Sequence, residues 1–362
     1  MLICSGRMTP ASPLLHYLAA RQRDKDILVV QSESELAAIN MVNGACFAGV
    51  RAMTGTSGGG FCLMTGGFGL AGMSESHAVL MLAQRPGPST GLPTYTSQGD
   101  LRFAVHASQG EFPRLVIAPG DVEECFYKTI EVFNLAEKYQ IPAILITDKH
   151  LQESHKSKTP FDTSKVSIER GALFVGDKYE GEEGYRRYKI TENGVSPRVL
   201  PSTKGAIVKY SSYEHDEFGI TTEDPELTTL MNDKRFRKLE FLNKELEKME
   251  TVKIHGDSDA DLTIIGWGST KGAILEAMKI LKKENFEVNY LQVIYLAPFP
   301  KEKVGEVLES AKRTVAVENN KTAQLVSLIR ENNFVDVDHK ILKYDGGPFN
   351  PWMLADRIRG VM

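Results

Sequence analysis

Cysteine is scarce in this chain of 362 residues, and none of it is paired in sequence. The four thiols are Cys4, Cys46, Cys62 and Cys125, with no CxxC spacing among them. An iron–sulfur cluster held by this chain alone would need four clustered thiolates, so none is expected. Free or buried thiols in a reducing compartment are expected instead, which points to the cytoplasm. The eight histidines are scattered without HxH or HExxH spacing, so no metal site is expected on this chain. No apolar run approaches the ~20 residues that cross a bilayer. The opening residues MLICSGRMTP lack the apolar core of a secretory signal. A net charge of −4 is too mild to steer nucleic acid or an anionic membrane, and neither is expected as a partner.

What remains is a chain built for burial. Apolar residues make up 42% and charged residues 25%, the balance of a globular protein. At roughly 100–200 residues per domain the length suggests two or three domains.

Asp26 to Val30 reads as a buried strand. Ser34 and Glu35 then precede Leu36, Ala37, Ala38, Met41, Val42 and Ala45: a helix cap followed by a small-residue helix that can pack closely on a sheet. Residues 48–54 return toward a strand, 56–60 read as a tight turn, and 63–73 as a glycine-rich helix in close contact with a neighbour. Ala78 to Leu82 is a further strand, ending at Gln84-Arg85. Beyond it, Leu115-Val116-Ile117, a helix from Val122 and the strand Ala143 to Ile146 form a β-α-β unit. That implies a parallel sheet with a right-handed crossover. Asp148 follows its strand, on the edge where open α/β sheets place ligands.

Between about His155 and Gly256 lysine, glutamate, glycine and tyrosine rise and alternation fades. This reads as a connector with one charged helix, 225–249, whose Lys/Glu pattern suggests a solvated face. Strands at 262–265, 288–293, 314–317 and 340–344 then alternate with helices, the pattern of a second, independent α/β domain. No repeat links the two domains.

Candidate chemistry concentrates in residues 29–93. Glu35 either serves the helix dipole, worth ~0.3–1 kcal/mol, or faces a cofactor ring nitrogen in an apolar site. The run Thr56-Ser57-Gly58-Gly59-Gly60 is neither GxxxxGK[ST] nor GxGxxG, but its glycines would let backbone touch a ligand. Arg85 can clamp a carboxylate or sit at the surface. Thr9 can donate a hydroxyl or simply open a turn. The cluster Tyr213 to Glu217 is either a solvated loop or a lid at a site or interface. From the residues alone, the chain is a two-domain α/β protein with a ligand site at strand ends and no assigned reaction.

The stretches QSESELAAINMVNGACFAGVRAMTGTSGGGF, AQRPGPSTGLPT, YEHDEFGITTEDPE, NDKRFRKLE, YLAPFP and KYDGGPFNPWMLADRI together closely resemble the α subunit of 2-oxoacid:ferredoxin oxidoreductases of the 2-oxoglutarate (KorA-like) type. The resemblance runs over nearly the whole chain. It implies an α/β fold in two domains with mainly parallel sheets. These are a thiamine diphosphate pyrimidine-binding domain over 1–155, a connecting region over 156–255 and a transketolase C-terminal-like domain over 256–362. It implies oxidative decarboxylation of a 2-oxoacid with CoA to acyl-CoA and CO2, with electrons passed to ferredoxin. Thiamine diphosphate would be shared with a partner β subunit, which would supply Mg2+ and the iron–sulfur cluster. A γ-type subunit is a further implied partner.

Carried over by position, the resemblance gives Glu35 the aminopyrimidine ring, where it promotes the imino tautomer. It places Thr9 near substrate, Arg85 on the 2-oxoacid carboxylate, and Ser57, Gly58, Gly59 and Gly60 along the cofactor pocket. Three departures stand out. Gly6-Arg7 replaces the Tyr-Pro of the family's Tyr-Pro-Ile-Thr-Pro motif. Gly66 stands where many relatives carry glutamate. A preceding strand-helix segment and the γ-type domain of fused archaeal forms are missing. The N-terminal departures leave in play a catalytically impaired or structural assembly subunit with an incomplete N-terminus; a transketolase-like subunit without ferredoxin chemistry is a third reading, which the motif set disfavours.

Overall fold

The computed structural model describes residues 1–5, 9–181 and 184–362; Gly6 and Arg7, where the sequence departs from the family motif, and Met8 lie outside them. In the first part of the chain the elements are β1 (Leu2–Ser5), α1 (Ser12–Ala19), β2 (Leu28–Gln31), α2 (Glu35–Phe47), β3 (Ala52–Thr56), α3 (Gly58–Met73), β4 (Val79–Gln84), α4 (Leu101–His106), β5 (Leu115–Ile117), α5 (Val122–Tyr139), β6 (Ala143–Asp148) and α6 (Lys149–Gln152). A long, irregular connector leads to α7 (Pro225–Leu246) and β7 (Val252–His255). There follow β8 (Leu262–Trp267), α8 (Thr270–Lys283), β9 (Val288–Val293), β10 (Tyr295–Ala297), α9 (Lys301–Ser310), β11 (Thr314–Glu318), α10 (Gln324–Asn333), β12 (His339–Leu342) and α11 (Pro351–Arg359).

Two sheets result. One has the order β10-β5-β6-β4-β3-β1-β2, the other β12-β11-β8-β9-β7. Every pairing is parallel except β10 on β5 and β7 on β9. Every residue of β3, β4 and β6 is buried, as a parallel sheet covered on both faces requires. β4 and β6 are the near-continuous apolar runs visible in the sequence. The fold is therefore α/β with mainly parallel sheets, as expected.

Three features differ from the sequence reading. First, the second unit is not independent. β10 comes from the C-terminal part of the chain yet pairs with the N-terminal sheet, Tyr295 opposite Ile117 and Ala297 opposite Val116. The two units are joined again where the Lys271 ammonium meets Asp121 at 2.6 Å and also pairs with Glu124. Gln292 donates to the same Glu124 at 2.7 Å.

Second, residues 58–60 are not a turn. They are the first turn of α3, which lies so close to α2 that a Cβ at Gly67 would fall 2.5 Å from Ile39. Asn43 on α2 donates to the Gly67 carbonyl at 2.9 Å across that contact. Glycine spacing that suits a turn also suits a helix packed backbone against neighbour.

Third, α7 keeps two of its three lysines away from water; Lys244 stays exposed. Lys234, Arg235 and Lys238 are buried. Glu75, at the end of α3, draws them in: Lys234 Nζ lies 2.5 and 2.7 Å from its two oxygens and Lys238 Nζ 2.5 Å from one of them. Burial pushes Lys234 down to about 7 even though Glu75 opposes it. Burial would raise Glu75, but Lys234 and Lys238 outweigh it and hold the carboxyl far below its usual range. The Tyr213 to Glu217 cluster belongs to the same docking surface. Arg235 donates to both Glu214 oxygens, at 2.9 and 2.5 Å, and His215 lies against the Tyr188 ring with centroids 3.8 Å apart.

Removing one partner of a buried ion cluster leaves charge without compensation. Glu75→Ala should cost about 3–5 kcal/mol in urea denaturation. Glu250→Ala, which breaks the exposed pair with Lys253, should cost less than about 1 kcal/mol. Equal losses from the two variants would contradict the account of α7.

Candidate functional site

The carboxyl ends of β2, β3, β4 and β6 lie along one edge of the larger sheet, and the predicted site residues follow them in the chain. Ser34 caps α2 by accepting from the Ala37 amide at 3.2 Å, which sets Glu35 as the first helical residue. Glu35 is half-buried, and among the described residues its carboxylate takes no hydrogen bond or ion pair. Its stem lies on the backbone of Gly60. A Cβ there would fall 2.8 Å from Glu35 Cγ and 2.0 Å from Thr56 Oγ1. Only glycine admits that approach.

Ser57 is the residue that should cap α3, yet its side chain makes no cap hydrogen bond. Ser34, Asp121, Asp148 and Asp224 all cap their helices in the ordinary way. Ser57 Oγ is instead buried without a partner, as are Thr56 Oγ1 and Thr54 Oγ1 from β3. Buried polar oxygens are ordinarily satisfied. A run of three unsatisfied ones beside a helix amino terminus, with its free amides and positive dipole end, can receive a polar group.

Arg85 follows β4 and donates from Nη1 to the Thr9 carbonyl at 2.8 Å. The two residues assigned to substrate are thus brought together, through the Thr9 backbone. Thr9 and Arg85 are both half-buried.

Asp100 was not anticipated. It occupies the cap position of the short helix α4 but makes no cap hydrogen bond. Its carboxylate lies instead over the first residue of α3: a Cβ on Gly58 would fall 2.5 Å from Asp100 Oδ2. That oxygen is buried and unpartnered. Burial pushes the Asp100 carboxyl up to about 6, against the field of Arg85, which lowers it. The first turn of α3 is therefore flanked by two carboxylates, Glu35 on Gly60 and Asp100 on Gly58.

The second unit holds Asp100 in place. Two residues earlier, Gln98 spends all its polar groups on that unit. Its amide and side-chain oxygen bond Asn319 at 2.7 and 2.8 Å, its side-chain nitrogen bonds the Trp267 carbonyl at 2.7 Å, and its carbonyl accepts from Asn320 at 3.1 Å. Asp100 itself donates from its amide to Gln84 Oε1 at 2.9 Å.

Residues 7–233, which carry this whole edge, match the family described as pyruvate flavodoxin/ferredoxin oxidoreductase, thiamine diphosphate-binding, and residues 260–346 match the pyruvate:ferredoxin oxidoreductase core domain II. The chain belongs to this oxidoreductase family. It is 42% identical over 357 residues to the 2-oxoacid:ferredoxin oxidoreductase 1 subunit alpha of Sulfurisphaera tokodaii, covering 94% of this chain and 55% of that protein. It is 30% identical over 358 residues to the 2-oxoglutarate synthase subunit KorA of Methanothermobacter marburgensis, covering 98% and 92%. Among solved structures, the 2-oxoglutarate:ferredoxin oxidoreductase from Magnetococcus marinus, with 2-oxoglutarate, coenzyme A and succinyl-CoA bound, superposes with a TM-score of 0.91 at 34% identity. That match covers 99% of this chain and 61% of that one. The chain thus spans little more than half the length of the archaeal 2-oxoacid:ferredoxin oxidoreductase α subunits that it matches.

Asp100 could have been found from the sequence as an Asp directly before an apolar helix start. Nothing local showed that the Asp side chain would be spared from capping. The sign of the Asp100 shift makes it testable. An acid whose folded pKa lies above its ordinary 3.8 contributes stability at low pH and loses it as pH rises through about 6. Asp100→Asn should therefore be more stable than the native chain at pH 8, by at most about 3 kcal/mol, with the gap closing as pH falls toward 4. A gap that thermal unfolding shows to be independent of pH would contradict this placement.

Proposed function

We propose that the chain is the α-type component of a 2-oxoacid:ferredoxin oxidoreductase and contributes half of a shared thiamine diphosphate site. The complete reaction is oxidative decarboxylation of a 2-oxoacid with CoA, giving acyl-CoA, CO2 and reduced ferredoxin. The observation that carries this reading is the unpaired Glu35 carboxylate on the backbone of Gly60, beside the unpartnered oxygens of Thr54, Thr56 and Ser57. An aminopyrimidine offers both amine donors and a ring nitrogen, and this set of groups fits it.

Held there, thiamine diphosphate would supply a thiazolium carbon that can lose its proton to become a nucleophile, and an electron sink for decarboxylation. Glu35 would hydrogen-bond the aminopyrimidine ring nitrogen and so favour the imino form of the ring. The Thr56 and Ser57 hydroxyls would offer acceptors to the ring's amine. Arg85, fixed by its bond to Thr9, holds the 2-oxoacid carboxylate with its remaining guanidinium donors. Thr9 lines the same corner.

The cofactor's diphosphate, its Mg2+ and the iron–sulfur cluster fall to a β-type partner. The surface around Glu35 suits such a partner: Leu36 on α2 and Leu63 on α3 are 54% and 50% exposed, and Gly59, Cys62 and Gly66 share that outer face of α3. Large apolar side chains flanking a polar half-site are covered on assembly.

Co-expression with a β-type chain tests the proposal. The assembled pair should form acyl-CoA from a 2-oxoacid and reduce ferredoxin, and Glu35→Gln should lower turnover by at least about 100-fold. Unchanged acyl-CoA formation in that variant would overturn the reading. Arg85→Ala should raise KM for the 2-oxoacid by roughly 10–100-fold, the worth of a charge-assisted bond.

A further inference from the structure

Asp100 has no part in the reaction as set out above, yet the fold goes to some length to place it. Its side chain is spared from capping α4. The second unit pins Gln98, two residues away, by four hydrogen bonds. Its carboxylate is laid on Gly58 at the amino end of α3, where Oδ2 is buried with no partner. Arg85 is near enough to act on it electrostatically, but among the described residues no hydrogen bond or ion pair within 4 Å joins the two. A cation and an acid held in each other's field, each with unspent hydrogen-bonding capacity, frame a position for a group that can bond to both.

We propose that Asp100 is a second substrate-binding acid: when the carboxylate of the 2-oxoacid seats on Arg85, Asp100 takes up a proton and donates a hydrogen bond from Oδ2 to the ligand. This rests on the functional reading given above. The exchange is balanced. One proton comes from solvent, one O–H bond forms on Asp100, and the bound anion replaces the Asp100 charge as the partner of Arg85. The net charge of the corner is then the same before and after binding.

The physical reason is electrostatic. An incoming anion beside an ionised acid costs energy, and protonation removes the cost while supplying a donor. Burial has already moved the Asp100 titration up to about 6, so the proton is within reach near neutrality. The other charged groups nearby have different duties. Glu35 lies across Gly60 on the far side of the α3 turn. Asp148, on the strand beside β4, accepts from Thr96 and from the Leu151 amide at 3.1 and 3.0 Å. Glu318, from the second unit, is saturated by Asn320, Trp267 and the Leu325 and Val326 amides. Arg102, on α4, is exposed. Among the described acids with a shifted titration, Asp100 is the one that feels the field of Arg85.

The test is kcat/KM for 2-oxoglutarate and for pyruvate between pH 6 and 8.5, in the assembled pair, for the native chain and Asp100→Asn. In the native complex kcat/KM should fall by up to roughly tenfold per pH unit above the Asp100 titration. In Asp100→Asn, which mimics the neutral acid, that fall should vanish and KM at pH 8 should be lower than native. The same slope in both, or no slope in the native complex, overturns the proposal. If Asp100→Asn fails to assemble, Asp100→Glu decides: it keeps a titrating acid and must keep a slope, and loss of the slope with turnover intact counts against the inference. No turnover with any 2-oxoacid and no thiamine diphosphate binding by the assembled pair would instead defeat the functional reading on which it rests. A normal reaction with a pH-insensitive KM would defeat this inference alone.

Discussion

The structure depends on how closely side chains can approach the backbone at the first turn of α3. Gly60 admits Glu35 and Thr56, and Gly58 admits Asp100; a methyl group at either would collide with the groups that define the site. The same closeness continues along the helix, where Gly67 meets Ile39 of α2. Because α2 and α3 are pressed together, the carboxylate that begins α2 comes to lie beside the helix start of α3. The dipole end and free amides of α3 then face the same corner as the unsatisfied oxygens of β3.

The second unit joins the larger sheet at its β5 edge and again beside that corner. β10 extends the larger sheet from the C-terminal part of the chain, and Lys271 ties α8 to the Asp121 and Glu124 pair. Gln98 completes the junction two residues before Asp100. The second sheet contributes no group of its own to the reaction proposed here. What it contributes is the placement of a buried acid that the first sheet alone would leave on a free loop. Buried ion clusters secure the scaffold elsewhere, with Glu75 anchoring α7 through Lys234 and Lys238. These are costly to desolvate and define a single docking geometry.

The strands β4 and β6 were legible because buried parallel strands are continuous apolar runs, and α2 because its cap and small residues are local signals. For Glu35 and Arg85 local signals left two readings open and the resemblance supplied the assignments, while the glycine run drew notice although it proved to open a helix. The buried lysines of α7 were not legible: a Lys/Glu pattern reads as solvated unless the carboxylate that buries it, some 160 residues away in sequence, is already known. β10 was missed because three residues that complete another unit's sheet carry no signature of their destination. Asp100 was missed because its role depends on a capping bond it does not make, which only the three-dimensional arrangement reveals.

The central claim is that this chain carries half of a cofactor site rather than a whole one. Titration calorimetry of thiamine diphosphate with Mg2+ into this chain alone, a β-type partner alone and the assembled pair tests it most directly. The account predicts weak binding to this chain, markedly tighter binding to the pair, and loss of that gain in Glu35→Gln. Binding to this chain alone as tight as to the pair, or a pair whose affinity ignores Glu35, would contradict it.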